Sequence, residues 1–505
     1  MATFDLENPN PNSGDALRDE AANILSMKYG RPVLEARTGG KKTDVLFRRQ
    51  DFGKTTTIFV EAKDYTKRLG RADVSGIWAD YSGLLRIHAP ASLLIITKSG
   101  LTTDGQAYVE EQAEVRHQTI WELENEVFGL TAYVRSLTGL FEGDGLDRYY
   151  VPGRARAAEW IDDERRVDGP DIALFETLQT WIAADDHQPI AVLGGYGAGK
   201  SSFAKRLVAH QAAGALANPM ARRPVLLSLG DYARHSSLEG LLGGKFTFDF
   251  PIDGFNTHNF LHLSDKGRLL VVLDGFDEMK HAMSWSDFRA QIGSLNRLTH
   301  GKAKVILLGR PTAFVSAEEH VHVLRGRKPH GDGFRRLPDW PEFREFDLEP
   351  FSAAERGKFV RDYLAMRGAG DPTRDAEWID QRAREVNRLA DHDPEVFSKP
   401  VHARILTDLA ADPDVDLAPF ALGVSRWSLY QVFFESLAER EVDKTARRPI
   451  RDAKRLDFLR EIAFWLWLRK GGATSFSAHD IPDSLIEGLG SIDIQGFTRG
   501  LMRDS

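Results

Sequence analysis

The chain has 505 residues, 42% hydrophobic and 28% charged, with 66 Lys and Arg against 74 Asp and Glu for a net charge of −8. That length exceeds one ordinary core and sets an expectation of about two to four soluble globular domains, while the negative total argues against a wholly basic nucleic-acid coat. The absence of cysteine excludes disulfides, thiolate zinc sites and a cysteine nucleophile. No run nears the roughly 18–20 apolar residues of a membrane span, and the opening MATFDLENPNPNSGD is polar and acidic, so a cytoplasmic protein with no membrane partner is expected.

Residues 13–30 place Ala16, Leu17, Ala21, Ile24 and Leu25 at helical spacing and predict an amphipathic helix. A Gly39-Gly40 turn and β-type runs at 43–48, 56–62 and 92–97 follow, which implies a mixed α/β domain. Between Lys28 and Lys98 stand 14 Lys or Arg against 7 Asp or Glu, either a solvated basic face or a footprint for a phosphate backbone. Inside this segment Asp44 opens the strand TDVLF, and Glu61 and Lys63 close TIFVEAKDY, an arrangement D-x16-E-x-K. Alternation puts Glu61 and Lys63 on one face of their strand, where both can converge with Asp44. Two carboxylates with the Ala62 carbonyl suit a hard cation such as Mg2+, and Lys63 would then orient or activate water against a phosphodiester.

From Val115 to about Arg156 the text is helical and ends in YYVPGRAR, a connector. A buried strand at 189–195, a helix at 200–212 and strands at 223–229, 268–274 and 303–309 predict a doubly wound, mostly parallel sheet. Between the first of these strands and its helix, GGYGAGKS matches the phosphate-binding loop G-x-x-x-x-G-K-[S/T]. Gly194, Gly195, Gly197 and Gly199 free the backbone to turn its N–H groups onto phosphate, and the helix that begins at Lys200, Ser201 and Ser202 aims its positive end there. Lys200 would reach the β- and γ-phosphates of ATP while Ser201 ligates Mg2+. Downstream, LLVVLDGFDEM carries Asp274, which would hold the same cation through water, and Asp277 and Glu278, which would polarise the attacking water. A third strand, AKVILLGRP, ends in Arg310, a sensor for the γ-phosphate charge. The stretch at 325–343 is expected to be an exposed insertion, and beyond Phe351 the chain turns almost wholly helical, without internal repeats.

LDGFDE and LLGRP resemble the acidic and sensor strands of the NACHT branch of the STAND switch ATPases. The segments LEPFSAAERGKFVRDYL, KPVHARIL and LYQVFFESLAERE resemble its helical and winged-helix parts, so that the likeness covers 185–505. It implies ATP and ADP as ligands, contact of Pro400 with the base or ribose, and a winged-helix domain that locks an ADP-bound resting state. Family members usually continue into a histidine-bearing segment and a repeat sensor. Here His479 lies outside that context and the sequence stops at LMRDS, so the sensor is expected on another chain or in a longer protein.

Over 13–112, RTGGKKTDVLF, FVEAKDY and ASLLIITKSGLTTDGQAYVEE resemble the Mrr-like branch of the PD-(D/E)xK nucleases. The likeness adds Glu20, on the first helix, as an acid that assists the metal. Thr43 stands where the family's name has proline, a position many Mrr-like members leave without it. The expected organisation is a restriction-endonuclease-like domain at 1–114, a helical connector at 115–184, a NACHT NTPase at 185–345, a helical lid at 346–410 and a winged-helix-like domain at 411–505. Together these imply a bacterial antiphage switch that oligomerises with itself on ATP and a phage-derived trigger and so activates a DNA endonuclease. Two alternatives stand beside it, an ATP-dependent restriction enzyme for modified DNA and a non-catalytic NACHT scaffold.

Overall fold

The computed structural model describes residues 13–412 apart from 36, 39–40, 52–53, 162–164, 232–236, 282–284, 315, 331–332 and 339, and beyond them 429–432, 460–466, 468, 482 and 485. The Gly39-Gly40 turn, His479 and nearly all of the expected winged-helix domain at 411–505 therefore lie outside the described residues. The chain divides into two compact units. One is Met1–Ser136 with Gln211–Arg223 and Leu242–Arg268; the other is Leu137–His210, Pro224–Leu241 and Leu269–Ser505.

In the first unit α1 (Ser13–Tyr29) buries Leu17, Ala21, Ile24 and Leu25, the stripe its sequence predicts. Five strands stand in the order β1 (Val33–Leu34), β2 (Val45–Asp51), β3 (Lys54–Lys63), β4 (Ala91–Thr97) and β5 (Val115–Thr119). The first two pairings are antiparallel, with Val45 opposite Val60, and the last two are parallel, with Glu61 beside Ile95. Parallel strands need a crossover. Helix α2 (Arg71–Ile87) supplies the one between β3 and β4, and its buried Val74, Ile77, Tyr81, Leu84 and Leu85 share a core with Phe59, Leu93 and Ile95. Helix α3 (Thr103–Glu110) joins β4 to β5. At the end of β5, Thr119 caps α4 (Ile120–Phe128): its N–H donates to Glu122 Oε2 at 2.7 Å, and its hydroxyl accepts from the Glu122 N–H at 3.2 Å.

Among the described residues the second unit carries a sheet of seven strands, β6 (Arg154–Ile161), β7 (Arg165–Ala173), β8 (Ile190–Leu193), β9 (Arg223–Ser228, of which Arg223 belongs to the first unit), β10 (Leu269–Asp274), β11 (Lys304–Gly309) and β12 (Arg344–Leu348). Their spatial order is β9-β10-β11-β8-β12-β6-β7. Strand β8 is central, parallel to β11 on one side and β12 on the other. Ile190, Ala191, Val192 and Leu193 are all buried, as a strand covered on both faces requires. Helices α5 (Leu174–Ala183) and α6 (Lys200–Ala217) flank β8 in the chain.

The expected helical connector at 115–184 is only partly helical, since it contains β5 and the antiparallel hairpin β6–β7, which joins the sheet on β12. Its Ala-, Glu- and Arg-rich text has good helix propensity, but tertiary pairing overrides it. Arg156 binds Asp168 and Asp171 across the hairpin at 3.1 Å each, and Arg166 reaches Glu345 at 3.0 Å and Asp347 at 2.6 Å on β12. The insertion at 325–343 forms a second hairpin, Arg327–His330 with Gly333–Arg336. Helices α7 (Phe276–His281) and α8 (Ala353–Gly368) follow strands β10 and β12, and α9 (Ala376–Ala390) and α10 (Pro400–Ala411) come after α8 in the chain. Phe359 and Leu364, Val386 and Leu389, and Leu406 and Leu409 from the last three pack with Tyr149 and Val151 in one core.

Candidate functional site

The loop between β8 and α6 turns on Gly197 and Gly199, whose φ of +71° and +90° an L side chain rarely adopts. Lys200 folds back over it, with Nζ donating to the carbonyl of Gly194 at 2.7 Å and of Gly195 at 3.2 Å. Burial pulls its ammonium below the ordinary value and Arg310 pulls the same way, against the carboxylates of Asp277, Asp274 and Glu278. The Ser201 hydroxyl hydrogen-bonds Asp274 at the end of β10, and Ser202 follows in the first turn of α6. Burial lifts the Asp274 carboxyl above its usual range, and Asp277 adds to this against the opposing effects of Ser201 and Lys200. A desolvated hydroxyl–carboxylate pair of this kind fits a hard cation with oxygen ligands.

Asp277 is buried and takes the Nε of Arg310 at 2.9 Å, while the Arg310 guanidinium lies 5.1 Å from the ring of Tyr196 in the loop. Glu278 turns toward the backbone of Gly230 and Gly275, where an added Cβ would meet its carboxylate at 2.3 Å and 3.3 Å. The structure therefore brings together Lys200, Ser201, Asp274, Asp277 and Arg310, and places Glu278 against the strand-end glycines. Pro400, at the first turn of α10, sits beside the loop at Gly199, with 4.0 Å from its Cγ to an added Cβ there. Its neighbour Val401, which sequence reasoning missed, donates its N–H to the Gly197 carbonyl at 3.2 Å and fills the space a Gly197 side chain would need. The signal was its place directly after Pro400 in KPVHARIL.

In the first unit, Asp44 stands just before β2 and Glu61 near the end of β3, side by side in the antiparallel register. Asp44 Oδ2 accepts the Ala62 N–H at 3.0 Å, so Ala62 enters through its amide, where the sequence pointed to its carbonyl. Lys63 Nζ lies 2.6 Å from Glu61 Oε1, and the Tyr81 hydroxyl donates to Glu61 Oε2 at 2.5 Å. Tyr81 is the residue sequence reasoning missed here, because only the packing of α2 on β3 brings it near. Burial, then the Glu61 charge, raises the Asp44 carboxyl above its usual range, and the same two causes push the Tyr81 phenol up so that it stays a donor. Lys63 is lowered by burial, but Glu61 outweighs this and holds the ammonium above its ordinary value.

Glu20 is not gathered into this cluster. Its carboxylate takes Arg268 at 2.9 Å, which also binds Glu124 at 2.8 Å and lies 4.0 Å from the Trp121 ring. Among the described residues no group of three or more His, Cys, Asp or Glu could hold a metal ion, so Asp44 and Glu61 stand as a pair.

A glycine-turned loop between a buried strand and a helix, with an acid-bearing strand in the same sheet, defines a P-loop NTPase. Residues 188–367 match the model of the NACHT domain, and this segment is accordingly a NACHT NTPase that extends past the expected limit at 345 into α8. A WD repeat-containing protein of Nostoc, itself uncharacterised, is 29% identical over 226 residues, 41% of this chain. The chain spans 14% of the length of that relative. Among solved structures, the ORC1 protein of Aeropyrum pernix in complex with DNA is 15% identical over 66% of this chain and 80% of its own, with a TM-score of 0.32. PCH-2 of C. elegans is 14% identical over 65% and 78%, with a TM-score of 0.27. A Walker-type ATPase of Pyrococcus abyssi is 14% identical over 63% and 86%, with a TM-score of 0.30. No described helix is long and apolar enough to cross a membrane.

Proposed function

We propose that the chain is an NTP-controlled switch whose NACHT domain governs a metal-dependent DNA endonuclease in the first unit, as part of bacterial defence against phage. The observation that carries this reading is the pair Asp44–Glu61 with Lys63 on Glu61, in the same chain as an assembled P-loop site.

ATP would sit with its phosphates on the loop N–H groups and the Lys200 ammonium, which exchanges its two carbonyl partners for phosphate oxygens. Ser201 and Asp274 would hold Mg2+, which would supply neutralisation of phosphate charge. Arg310, anchored through its Nε by Asp277, keeps its terminal amino groups for a γ-phosphate. Because Pro400 and Val401 already lie on the loop, loading the site would bear directly on α10 and the chain beyond it.

In the first unit, Asp44 and Glu61 would hold a divalent cation that activates water against a phosphodiester. The Glu61 charge that helps raise the Asp44 carboxyl is one a bound cation would offset. Tyr81 and Lys63 fix the two Glu61 oxygens from opposite sides, and Lys63 is available to orient the water or balance charge at phosphorus. The WD repeat-containing relative supports coupling of such a switch to a repeat sensor, and self-association would pair nuclease units so that both strands of DNA are cut.

The test is nicking of supercoiled plasmid by the whole chain with Mg2+ and ATP. Glu61→Gln and Lys63→Ala should each lower the rate at least about 100-fold, the loss typical of a removed catalytic acid–base group. Undiminished nicking by both variants would remove the nuclease assignment. Cleavage confined to methylated plasmid would favour a modification-dependent restriction enzyme instead.

A further inference from the structure

Helices α8 and α9 enclose a groove of about 560 Å³, within the roughly 300–1,000 Å³ of small-molecule sites. Its acids are already matched, Asp362 with Lys358 and Asp391 with Arg356. The Asn387 amide is spent as well, Nδ2 donating to the Ala383 carbonyl at 2.8 Å and Oδ1 accepting from Arg356 Nε at 3.2 Å. Arg361 pairs outward with Asp380 at 2.9 Å. What is left on the lining is Arg384 and Arg388, both exposed, and no ion pair or hydrogen bond engages either guanidinium among the described residues.

Two features here run against helix stability. Like charges four residues apart on a helix repel, and Arg384 and Arg388 stand at that spacing on α9. Gly357 occupies the interior of α8, where glycine is disfavoured relative to alanine, and an added Cβ would meet nothing nearer than the Asn387 amide at 3.9 Å. Together they leave a basic groove with an open floor, lined by Ala354 and Ala383 as well as the charged groups. Forked guanidiniums bind phosphate oxygens two at a time, and neighbours one helical turn apart match two neighbouring phosphates.

We propose that this groove binds a pair of adjacent phosphate groups through Arg384 and Arg388, separately from the P-loop and independently of the nuclease reading. The phosphates belong either to a free polyphosphate ligand or to a nucleic-acid backbone, and two probes tell these apart. The whole chain carrying Lys200→Ala, which weakens phosphate binding at the P-loop, is titrated at low salt with inorganic pyrophosphate by calorimetry. It is titrated separately with a fluorescent single-stranded oligonucleotide by anisotropy. At least one probe should bind, and Arg384→Ser with Arg388→Ser should weaken it at least tenfold. Gly357→Leu, which fills the floor and leaves the charge intact, should weaken it likewise. Loss of pyrophosphate binding identifies a free ligand; loss confined to the oligonucleotide identifies a backbone. The thermal midpoint of the arginine variant should fall by no more than the small helix-propensity difference between arginine and serine, because no ion pair or hydrogen bond engages either guanidinium among the described residues. Failure of both probes to bind the parent, or equal binding by either variant, overturns the proposal.

Discussion

Asp44 faces two demands that oppose each other. It accepts the Ala62 N–H, which favours the fold, yet burial and the Glu61 charge hold its carboxyl above the usual range. Since the native value is the raised one, the stability Asp44 contributes is fully present below the ordinary value of about 3.9 and is lost as pH rises through the native value. Asp44→Asn keeps an acceptor for Ala62 and removes the charge. Its melting temperature near pH 7 should therefore match or exceed the parent's, with the gap closing toward pH 3, while Mg2+ should raise the parent's melting temperature more than the variant's, which keeps only the Ser201–Asp274 site whole. Thermal denaturation across pH checks both, and a variant that melts lower at neutral pH would show Asp44 to be purely structural. At the phosphate loop, Gly197→Ala meets Val401 Cγ1 at 2.0 Å as well as a φ of +71°. Nucleotide affinity should fall at least tenfold, and Val401→Ala added to it should recover part of the loss, with the residue 401 Cβ still 2.7 Å away and about 1 kcal/mol of backbone strain remaining. A double-mutant cycle read by nucleotide titration decides whether the two are coupled. Lys200, Ser201 and Asp274 were legible in the sequence because a phosphate loop is a local string. Tyr81 and Val401 were not, because each owes its role to tertiary packing: Tyr81 to α2 folding back on β3, and Val401 to α10 meeting a loop about two hundred residues earlier.

Strands read directly from the sequence wherever the text was continuously apolar, as in LLVVLD and KVILLG, because a strand covered on both faces needs no alternation. The hairpin β6–β7 escaped the same reading because its partners are ionic and lie across the sheet at Glu345 and Asp347. Glu20 shows a related limit. Its helix was plain, but the face it presents was set by Arg268, a residue 248 positions away. Within the first unit Glu124 ties Arg223 and Arg268 at 3.1 Å and 2.8 Å, and its side chain is 1% exposed beside a 7% exposed Arg223. Removing one partner of such a buried pair leaves an uncompensated charge and costs about 3–5 kcal/mol. Glu124→Ala should accordingly lower the urea midpoint of the first unit and speed amide exchange across α4 and the helix Thr257–Asp265. A shift below about 1 kcal/mol would mean that water reaches the cluster and screens it.

As a whole, the chain joins a NACHT NTPase at 188–367 to a first unit whose Asp44, Glu61 and Lys63 suit metal-assisted hydrolysis. If the NTPase is a switch and not a motor, nucleotide should act on the proposed nuclease by changing how chains associate, and cleavage should then depend on more than one chain. The most direct measurement is the initial rate of plasmid cleavage as a function of chain concentration, with Mg2+ and ATP, for the parent and for Lys200→Ala. The account predicts a rate that rises faster than the first power of concentration in the parent and falls at least about tenfold in Lys200→Ala, as expected when the phosphate contact is lost. A rate strictly proportional to concentration and unchanged by Lys200→Ala would contradict it.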